Sequence, residues 1–344
     1  MKHKHVLVVM PEMPYPPRKN GLTLRYYPLL MLLSQQFRLT LAAVVGNEGA
    51  ALGELGERLE NFIPLRKSVP HPSLLEKISA QFLRLLPFGM PYDYYDYGAA
   101  GIIDQLRPVL AGSYDAVVWV TQDHLLYGSL PLLKKHRLII DAVDSISLHM
   151  IRSMTSRGLV RALRTRKMKR WEATMMDSAV TGFYISPVDM AAVQSRVCRV
   201  ELAISPNGTL IEDYLDAKAE LKSPALGFLG NMSYGPNIDA AHRLYRIYCT
   251  LKQTVPDLSL YIIGRDPDPS LQQYADDPNV HVTGTLDNIW PHVNAVDIFV
   301  MPMGMGAGLQ NKLLEVMYAG KPIVASSVAN GGVLAVDGET VIIA

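Results

Sequence analysis

The sequence has only two cysteines, Cys198 and Cys249, among its 344 residues. Two isolated thiols exclude a disulfide framework and a zinc motif, because both need more cysteines at close, repeated spacing. We expect both to be buried and to behave as small apolar residues in a reducing cytoplasm.

Net charge and long apolar runs are also lacking. The formal net charge is only +1, so no overall field attracts the chain to nucleic acid, and we predict no nucleic-acid partner. The apolar run Val6 to Met10 near the start is too short for a secretory signal, and no other run reaches the length of a membrane span. We therefore predict a cytoplasmic protein that rests on a membrane at most.

Short β-branched runs alternate with helical patterns through most of the chain. After a Pro–Asn–Gly turn at 206–208, a second alternating series begins. This alternation is typical of parallel βαβ units. It predicts an α/β protein with two Rossmann-like, doubly wound parallel-sheet domains, 1–205 and 206–344, that face a cleft. Strands are predicted in the first domain at 5–10, 38–45, 116–120, 137–141 and 182–186.

The stretch "GAGLQNKLLEVMYAGKPIVAS" at 306–326 follows a predicted strand and opens a helix. Gly304, Gly306 and Gly308 alternate before that helix, and glycines at a helix start let backbone N–H groups approach a phosphate. The spacing matches neither the dinucleotide fingerprint nor a P-loop, because Lys312 is not followed by Ser or Thr. A plain tight turn remains the alternative.

Lys312 and Glu315 lie three residues apart on one face of this predicted helix. A lysine in the first turn opposes the helix dipole, and an anion bound at that turn would make the same charge favourable. Glu315 could accept hydrogen bonds from two ribose hydroxyls. The alternative is an ordinary exposed ion pair, which contributes little to stability.

The second half resembles the group 1 (family 4) glycosyltransferases, which adopt the GT-B fold. Besides 306–326, it carries in family order "ISPNGTLIEDY", "LGFLGNMSYGPNIDAAHRLY", "LYIIGRDP" and "VTGTLDNIWPHVNAVDIFVMP". The first half matches more loosely through "PYPPRKNGLTLRYYPLLMLLS", "DAVDS" and "ISPVDMAAV", in a way typical of members that build exopolysaccharide and other bacterial surface sugars.

This resemblance implies roles for individual residues. Lys312 matches the diphosphate-binding lysine, and Glu315 matches the second of two family glutamates, which holds the ribose. The first glutamate falls at Ala307, which cannot act as that glutamate would. The implied donor-binding residues are Gly21, Gly230, Arg265, Gly284, Leu286, Gly304, Gly306, Ala307, Gly308, Leu309 and Asn311.

The resemblance also implies the chemistry. Such enzymes move a sugar, here expected to be a hexose, from a nucleoside-diphosphate sugar (UDP or GDP) to an acceptor hydroxyl with retention at the anomeric carbon. The implied acceptor is a saccharide or a lipid-linked saccharide of surface polysaccharide synthesis. No cofactor and no metal are expected, because Lys312, backbone amides and Arg265 would stabilise the departing diphosphate. The D-x-D pair Asp266 and Asp268 could hold a cation, but its interleaved prolines favour a solvated turn.

Polar residues follow the predicted strands of the first half, where ligands bind in parallel sheets. We expect His124 to contact the donor sugar or the acceptor hydroxyl as a catalytic residue, with a surface histidine as the alternative. Asp123, Asp141, Asp144 and Ser145 are the predicted acceptor-side residues.

Basic residues crowd the segment 152–170. A basic amphipathic helix can rest on an anionic membrane, and this segment is a candidate for such contact on the cytoplasmic face. A solvated helix that packs over the domain explains the pattern equally well.

The family chain normally continues beyond the strand "ETVIIA", whereas this sequence ends at Ala344, so we expect a truncated C-terminal end. Two alternatives to a transferase remain. One is a nucleoside-diphosphate-sugar epimerase on the same fold. The other is a non-catalytic nucleotide-sugar-binding subunit, which Ala307 favours.

Overall fold

The computed structural model describes residues 4–17, 19–46, 49–67, 99–153, 158–209, 214–274, 276–305 and 309–344. The chain divides into two compact units, Met1–Pro206 and Asn207–Ala344. Among the predicted site residues, Gly306, Ala307 and Gly308 lie outside the described residues, as do 154–157 of the basic segment.

The first unit contains a seven-stranded sheet in the order β3-β2-β1-β4-β5-β6-β7. Every recorded strand pairing in it is parallel. The strands are β1 (His5–Met10), β2 (Arg38–Val45), β3 (Asn61–Arg66), β4 (Ala116–Val120), β5 (Leu138–Val143), β6 (Thr181–Tyr184) and β7 (Glu201–Ile204). The described helices are α1 (Gly21–Leu33), α2 (Leu55–Arg58), α3 (Ala99–Ala111), α4 (His124–Leu133), α5 (Ile146–Ser153), α6 (Gly158–Met176) and α7 (Pro187–Gln194).

Strand β1 shows why this sheet needs a helical layer on each face. Successive side chains of a strand point to opposite faces, and here both sets are buried. Leu7 and Val9 belong to one hydrophobic cluster, whereas Val8 and Met10 belong to the other. A strand that is apolar on both faces is typical of a parallel sheet covered on both sides.

The second unit contains a six-stranded sheet in the order β10-β9-β8-β11-β12-β13, again with parallel pairings. Its strands are β8 (Ala225–Leu229), β9 (Ser259–Ile263), β10 (Val280–Val282), β11 (Ile298–Met301), β12 (Ile323–Ala325) and β13 (Ile342–Ile343). Its helices are α8 (Gly235–Lys252), α9 (Trp290–Ala295), α10 (Asn311–Tyr318) and α11 (Ser327–Asn330), with a 3₁₀ helix at Pro269–Tyr274. The predicted α/β class with two parallel sheets is confirmed.

The two cysteines contradict the prediction of burial, because Cys198 and Cys249 are both exposed free thiols. Cys198 lies in the short loop between α7 and β7, and Cys249 lies on α8. A separate finding concerns membranes: no described helix combines the length and apolar content that crossing a bilayer requires.

A close backbone approach joins β8 and β9 where they end. Gly264, directly after β9, has φ +147°, and a Cβ there would lie 1.7 Å from the Gly230 carbonyl oxygen. No side chain can occupy that space, so glycine is required at 264 both for its conformation and for its contact.

We predict that Gly264→Ala destabilises the protein by about 2–5 kcal/mol, because overpacking and backbone strain act together. Gly235→Ala is the matched control, since a Cβ there meets nothing within 4 Å and should change stability by about 1 kcal/mol or less. Calorimetric unfolding of the two variants measures the difference. Equal stability of the two variants would show that the backbone relaxes around residue 264.

Candidate active site

Helix α10 places Lys312 in its first turn. Leu313 and Val316 are completely buried in the core of the second unit, and they hold the helix against the sheet. This packing directs the Lys312 ammonium inward. Its Nζ donates a hydrogen bond to Asn237 Oδ1, lies 3.7 Å from Met303 Sδ and lies 4.8 Å from the centre of the Phe228 ring.

Burial lowers the pKa of Lys312 to about 7, and the nearby Glu315 carboxylate opposes that shift. Neither of the two hydrogen-bond partners carries a charge. A desolvated ammonium without full compensation is costly, so the neutral form gains relative to the charged one. An anion bound beside Nζ would reverse this effect and restore the charge.

Asn237 connects Lys312 to the loop after β8. Its Nδ2 donates to the Asn231 carbonyl oxygen at 2.8 Å, and a Cβ on Gly230 would lie 2.8 Å from the same nitrogen. Gly230 therefore leaves the space in which the Asn237 amide is held. Sequence reasoning missed Asn237, although a polar residue in the first turn after a strand was the available signal.

The other predicted donor residues have contacts of their own within the second unit. Gly304 lies close to Arg243, since a Cβ on it would come 2.4 Å from Nη2. Asn311 Oδ1 accepts a hydrogen bond from Asn207 Nδ2 at 3.0 Å. Leu309 is buried, and Leu286 packs against the core of this unit.

The loops after β9 and β10 meet where Gly284 forms a bridge with Gly264. Arg265 is exposed, and its Nε lies 3.6 Å from Asp266 Oδ2. Its backbone oxygen accepts a hydrogen bond from Met232 N at 2.9 Å. The structure thus links Gly230, Gly264 and Gly284 through the backbone, and Gly230 borders Asn237, the partner of Lys312, whereas the Arg265 side chain is exposed.

Both aspartates of the D-x-D pair contact neighbouring residues: Asp266 lies near Arg265, and Asp268 bonds to Ser270. The Asp268 carboxylate accepts a hydrogen bond from Ser270 N at 2.9 Å, and bonding to Ser270 lowers its pKa. Within the ranges that the structure covers, no group of three or more His, Cys, Asp or Glu side chains is arranged to hold a metal ion.

In the first unit, the predicted acceptor-side residue Asp141 is held inside the unit rather than open to solvent. Asp141 is buried, and its Oδ2 accepts hydrogen bonds from Arg25 Nη2 at 2.7 Å and from Nε at 3.1 Å. Arg25 also donates to the Ser205 backbone oxygen at 2.9 Å. This ion pair joins α1, β5 and the chain end of the unit, so Asp141 has a structural role.

Ser145 is also buried rather than open. Its N–H donates to Asp189 Oδ1 at 3.0 Å, and its hydroxyl donates to Glu172 Oε2 at 3.1 Å. Glu172 Oε1 accepts from the Tyr184 hydroxyl at 3.2 Å. Sequence reasoning missed Glu172 and Asp189, because nothing local to either residue shows that it is buried.

Asp123 and His124 lie at the start of α4. Asp123 Oδ1 caps that helix by accepting from Leu126 N at 2.9 Å. His124 is buried, with its ring centre 6.3 Å from that of Trp171. Both residues line a cavity of about 80 Å³ together with Lys67. The surface-histidine alternative is therefore wrong, and His124 borders a small cavity at the carboxyl edge of the sheet.

One donor-side prediction, Gly21, and one acceptor-side prediction, Asp144, remain for the first unit. Gly21, an implied donor-binding residue, is the first residue of α1 and follows the capping residue Asn20. Asp144 differs from its neighbours: its Oδ1 is buried without a hydrogen-bond partner. Burial and the Asp189 charge raise its pKa to about 6, and Arg25 partly opposes the shift.

The residue before Asp144 is strained. Val143 has φ 65°, a conformation that costs a β-branched residue about 1–3 kcal/mol. Thr121, at the end of the neighbouring strand β4, has φ 67°. Such strain concentrates at functional sites, and it marks the edge where Asp144 lies.

Comparison with known families finds a match for part of the chain. Residues 223–344 match the family model of the glycosyl transferases group 1. That match lies in the second unit, where Lys312 and Glu315 lie. A search of curated proteins found no match.

Solved structures confirm the GT-B fold for the whole chain. HepE from Anabaena, solved in complex with UDP-glucose, superposes with a TM-score of 0.61 at 14% identity over 99% of this chain and 85% of that one. A UDP-forming α,α-trehalose-phosphate synthase from Burkholderia vietnamiensis gives 0.60 at 12% identity over 98% and 88%. A Listeria monocytogenes protein assigned as a UDP-N-acetylglucosamine 2-epimerase gives 0.54 at 13% identity over 96% and 82%. The fold alone therefore does not separate a transferase from an epimerase.

We predict opposite stability effects at the two aspartates. Asp144→Asn should stabilise the protein by about 1–3 kcal/mol at pH 7, because it removes a buried carboxylate whose pKa is raised. The native state binds the extra proton between the unfolded pKa near 3.8 and the folded pKa near 6. The wild type therefore loses stability as pH rises through this window, and the gain of the variant should vanish below about pH 4.

Asp141→Asn is the matched control, since it breaks the buried ion pair with Arg25 and should cost about 3–5 kcal/mol. Urea unfolding at pH 7 and at pH 4 measures both. A less stable Asp144→Asn protein at pH 7 would mean that the carboxylate is stabilised in the folded chain.

Proposed function

We propose that this chain is a retaining glycosyltransferase that moves a hexose from a nucleoside-diphosphate sugar to an acceptor hydroxyl. The observation that carries the proposal is the buried Lys312 ammonium, whose hydrogen-bond partners are neutral, within the segment that matches the glycosyl transferases group 1 model. A site that destabilises its own cation is suited to bind an anion.

The proposed step breaks the bond between the anomeric carbon and the diphosphate oxygen. The acceptor oxygen forms its bond to that carbon on the same face, and the hydroxyl proton passes to the departing diphosphate. The protein must stabilise the charge that grows on this leaving group. Lys312 and the backbone around Gly304 are proposed to do so, and Glu315 is proposed to hold the ribose hydroxyls.

The donor site is proposed to work without a metal, because the ammonium supplies the charge that a cation would otherwise provide. The remaining donor residues of the proposal are those that lie with Lys312 in the second unit. They are Gly230, Gly284, Leu286, Leu309, Asn311 and, with the weakest support, the exposed Arg265.

The first unit is proposed to bind the acceptor, a saccharide or lipid-linked saccharide of surface polysaccharide synthesis. Asp144 is the predicted residue there with a buried, unpartnered carboxylate oxygen, and His124 borders the small cavity. We also place the enzyme in the cytoplasm, with peripheral contact to an anionic membrane through 152–170, since a lipid-linked acceptor stays in the leaflet.

An epimerase remains the second candidate, since a protein assigned to that activity shares the fold. Incubation with a nucleoside-diphosphate sugar and generic acceptors distinguishes the candidates. Transfer of the sugar supports the proposal, an isomerised donor supports the epimerase, and binding without turnover supports a non-catalytic subunit.

We predict that UDP or GDP binds without magnesium and that Lys312→Ala and Glu315→Ala each weaken binding by about 1–3 kcal/mol, the cost of a lost charge-assisted hydrogen bond. Calorimetric titration with and without magnesium measures this effect. Lys222→Ala is the matched control, because this exposed lysine lies just before β8, at the amino edge of the same sheet. Binding that needs magnesium, or that survives Lys312→Ala unchanged, would contradict the assigned role.

A further inference from the structure

The first turns of α6 expose apolar side chains. Leu159, Val160 and Leu163 are exposed to 75%, 58% and 56%. The second half of the same helix is anchored, because Met168, Trp171 and Met175 are buried in the core of the first unit. The exposed leucines therefore project from a helix whose position is fixed.

Apolar and basic residues share the outer face of α6. Leu159, Leu163, Arg166 and Arg170 follow one another at intervals of four, three and four residues, which places them along one side of a helix. All four are exposed. With a rise of 1.5 Å per residue, this stripe extends over about 16 Å. Its apolar end lies at the start of the helix and its basic end follows.

The positive charge of α6 also favours an anionic partner. From Gly158 to Trp171 the sequence contains no acidic residue, so no carboxylate within this stretch neutralises the stripe. Arg161 Nη2 donates to the Ile151 backbone oxygen at 3.1 Å, which holds the start of α6 against the end of α5. The surface is thus positively charged, partly apolar and preorganised.

We propose that this surface, Leu159, Val160, Leu163, Arg166 and Arg170, docks the first unit on an anionic lipid leaflet. The leucines enter the boundary between headgroups and acyl chains, while the arginines bind lipid phosphates. The inference deepens the proposed function, on which it rests for a lipid-linked acceptor. Vesicle binding can be measured without any sugar transfer.

The test is flotation of the full chain with two kinds of vesicle, phosphatidylcholine alone and phosphatidylcholine with phosphatidylglycerol in equal parts. Binding is expected only to the anionic vesicles, and it should weaken with salt. The double variant Arg166→Gln/Arg170→Gln should bind about 25-fold more weakly, at roughly fivefold per cation. The pair Leu159→Gln/Leu163→Gln should lose roughly 100-fold, and glutamine keeps the helix propensity of this exposed turn.

Matched controls come from the same unit. Leu32→Gln changes a leucine that is 60% exposed on α1, and Arg196→Gln changes an exposed arginine after α7. Both should bind anionic vesicles like the wild type.

Two outcomes overturn the proposal: a wild-type chain that does not bind anionic vesicles, and binding that neither double variant weakens. If the arginine double variant bound vesicles more weakly but the leucine double variant bound them like the wild type, insertion of the leucines would be overturned. Titration of the same samples with UDP shows whether the donor site is intact, so failure of this surface and failure of the proposed function are distinguishable.

Discussion

Burial of the Lys312 ammonium among neutral partners is the constraint on which the site depends. Leu313 and Val316 anchor α10 in the core, and the helix period then directs Lys312 towards Asn237 and Met303. Burial there lowers the pKa of Lys312 to about 7. Its charge is therefore costly until an anion arrives, which couples the stability of the helix to the chemistry of the site.

The first unit buries acidic side chains rather than a lysine. Arg25 forms an ion pair with Asp141, and Glu172 accepts hydrogen bonds from the hydroxyls of Ser145 and Tyr184. These pairs fix the carboxyl ends of the strands. Asp144 stands apart, because one of its oxygens is buried without a partner next to a strained residue. A paired carboxylate and a carboxylate with an unpartnered oxygen thus lie within a few positions of each other at the end of β5.

The buried strands were predictable because their apolar runs are continuous, and β1, β2 and β4 begin and end where the pattern indicates. The edge strands β3 and β7 were not predicted. Asn61–Arg66 contains a proline, and Glu201–Ile204 is short and half exposed, so neither has the pattern of a buried strand. The partners of Asp141 and Ser145 could not be predicted either, since Arg25 is 116 residues from Asp141 and Glu172 is 27 from Ser145. Lys312 was found because its position against the helix dipole is a local signal, whereas its burial depends on Asn237, Phe228 and Met303, which only the fold brings together.

The most direct test of the central claim is the number of protons taken up when UDP binds. Titration at pH 8 in buffers of different ionisation enthalpy measures it. Lys312, with a pKa of about 7, is mostly neutral at that pH and regains its proton beside the diphosphate. The account predicts uptake of close to one proton by the wild type and none by Lys312→Arg, because arginine stays charged. Binding of UDP to the wild type without proton uptake would show that the buried lysine is not the group that meets the diphosphate.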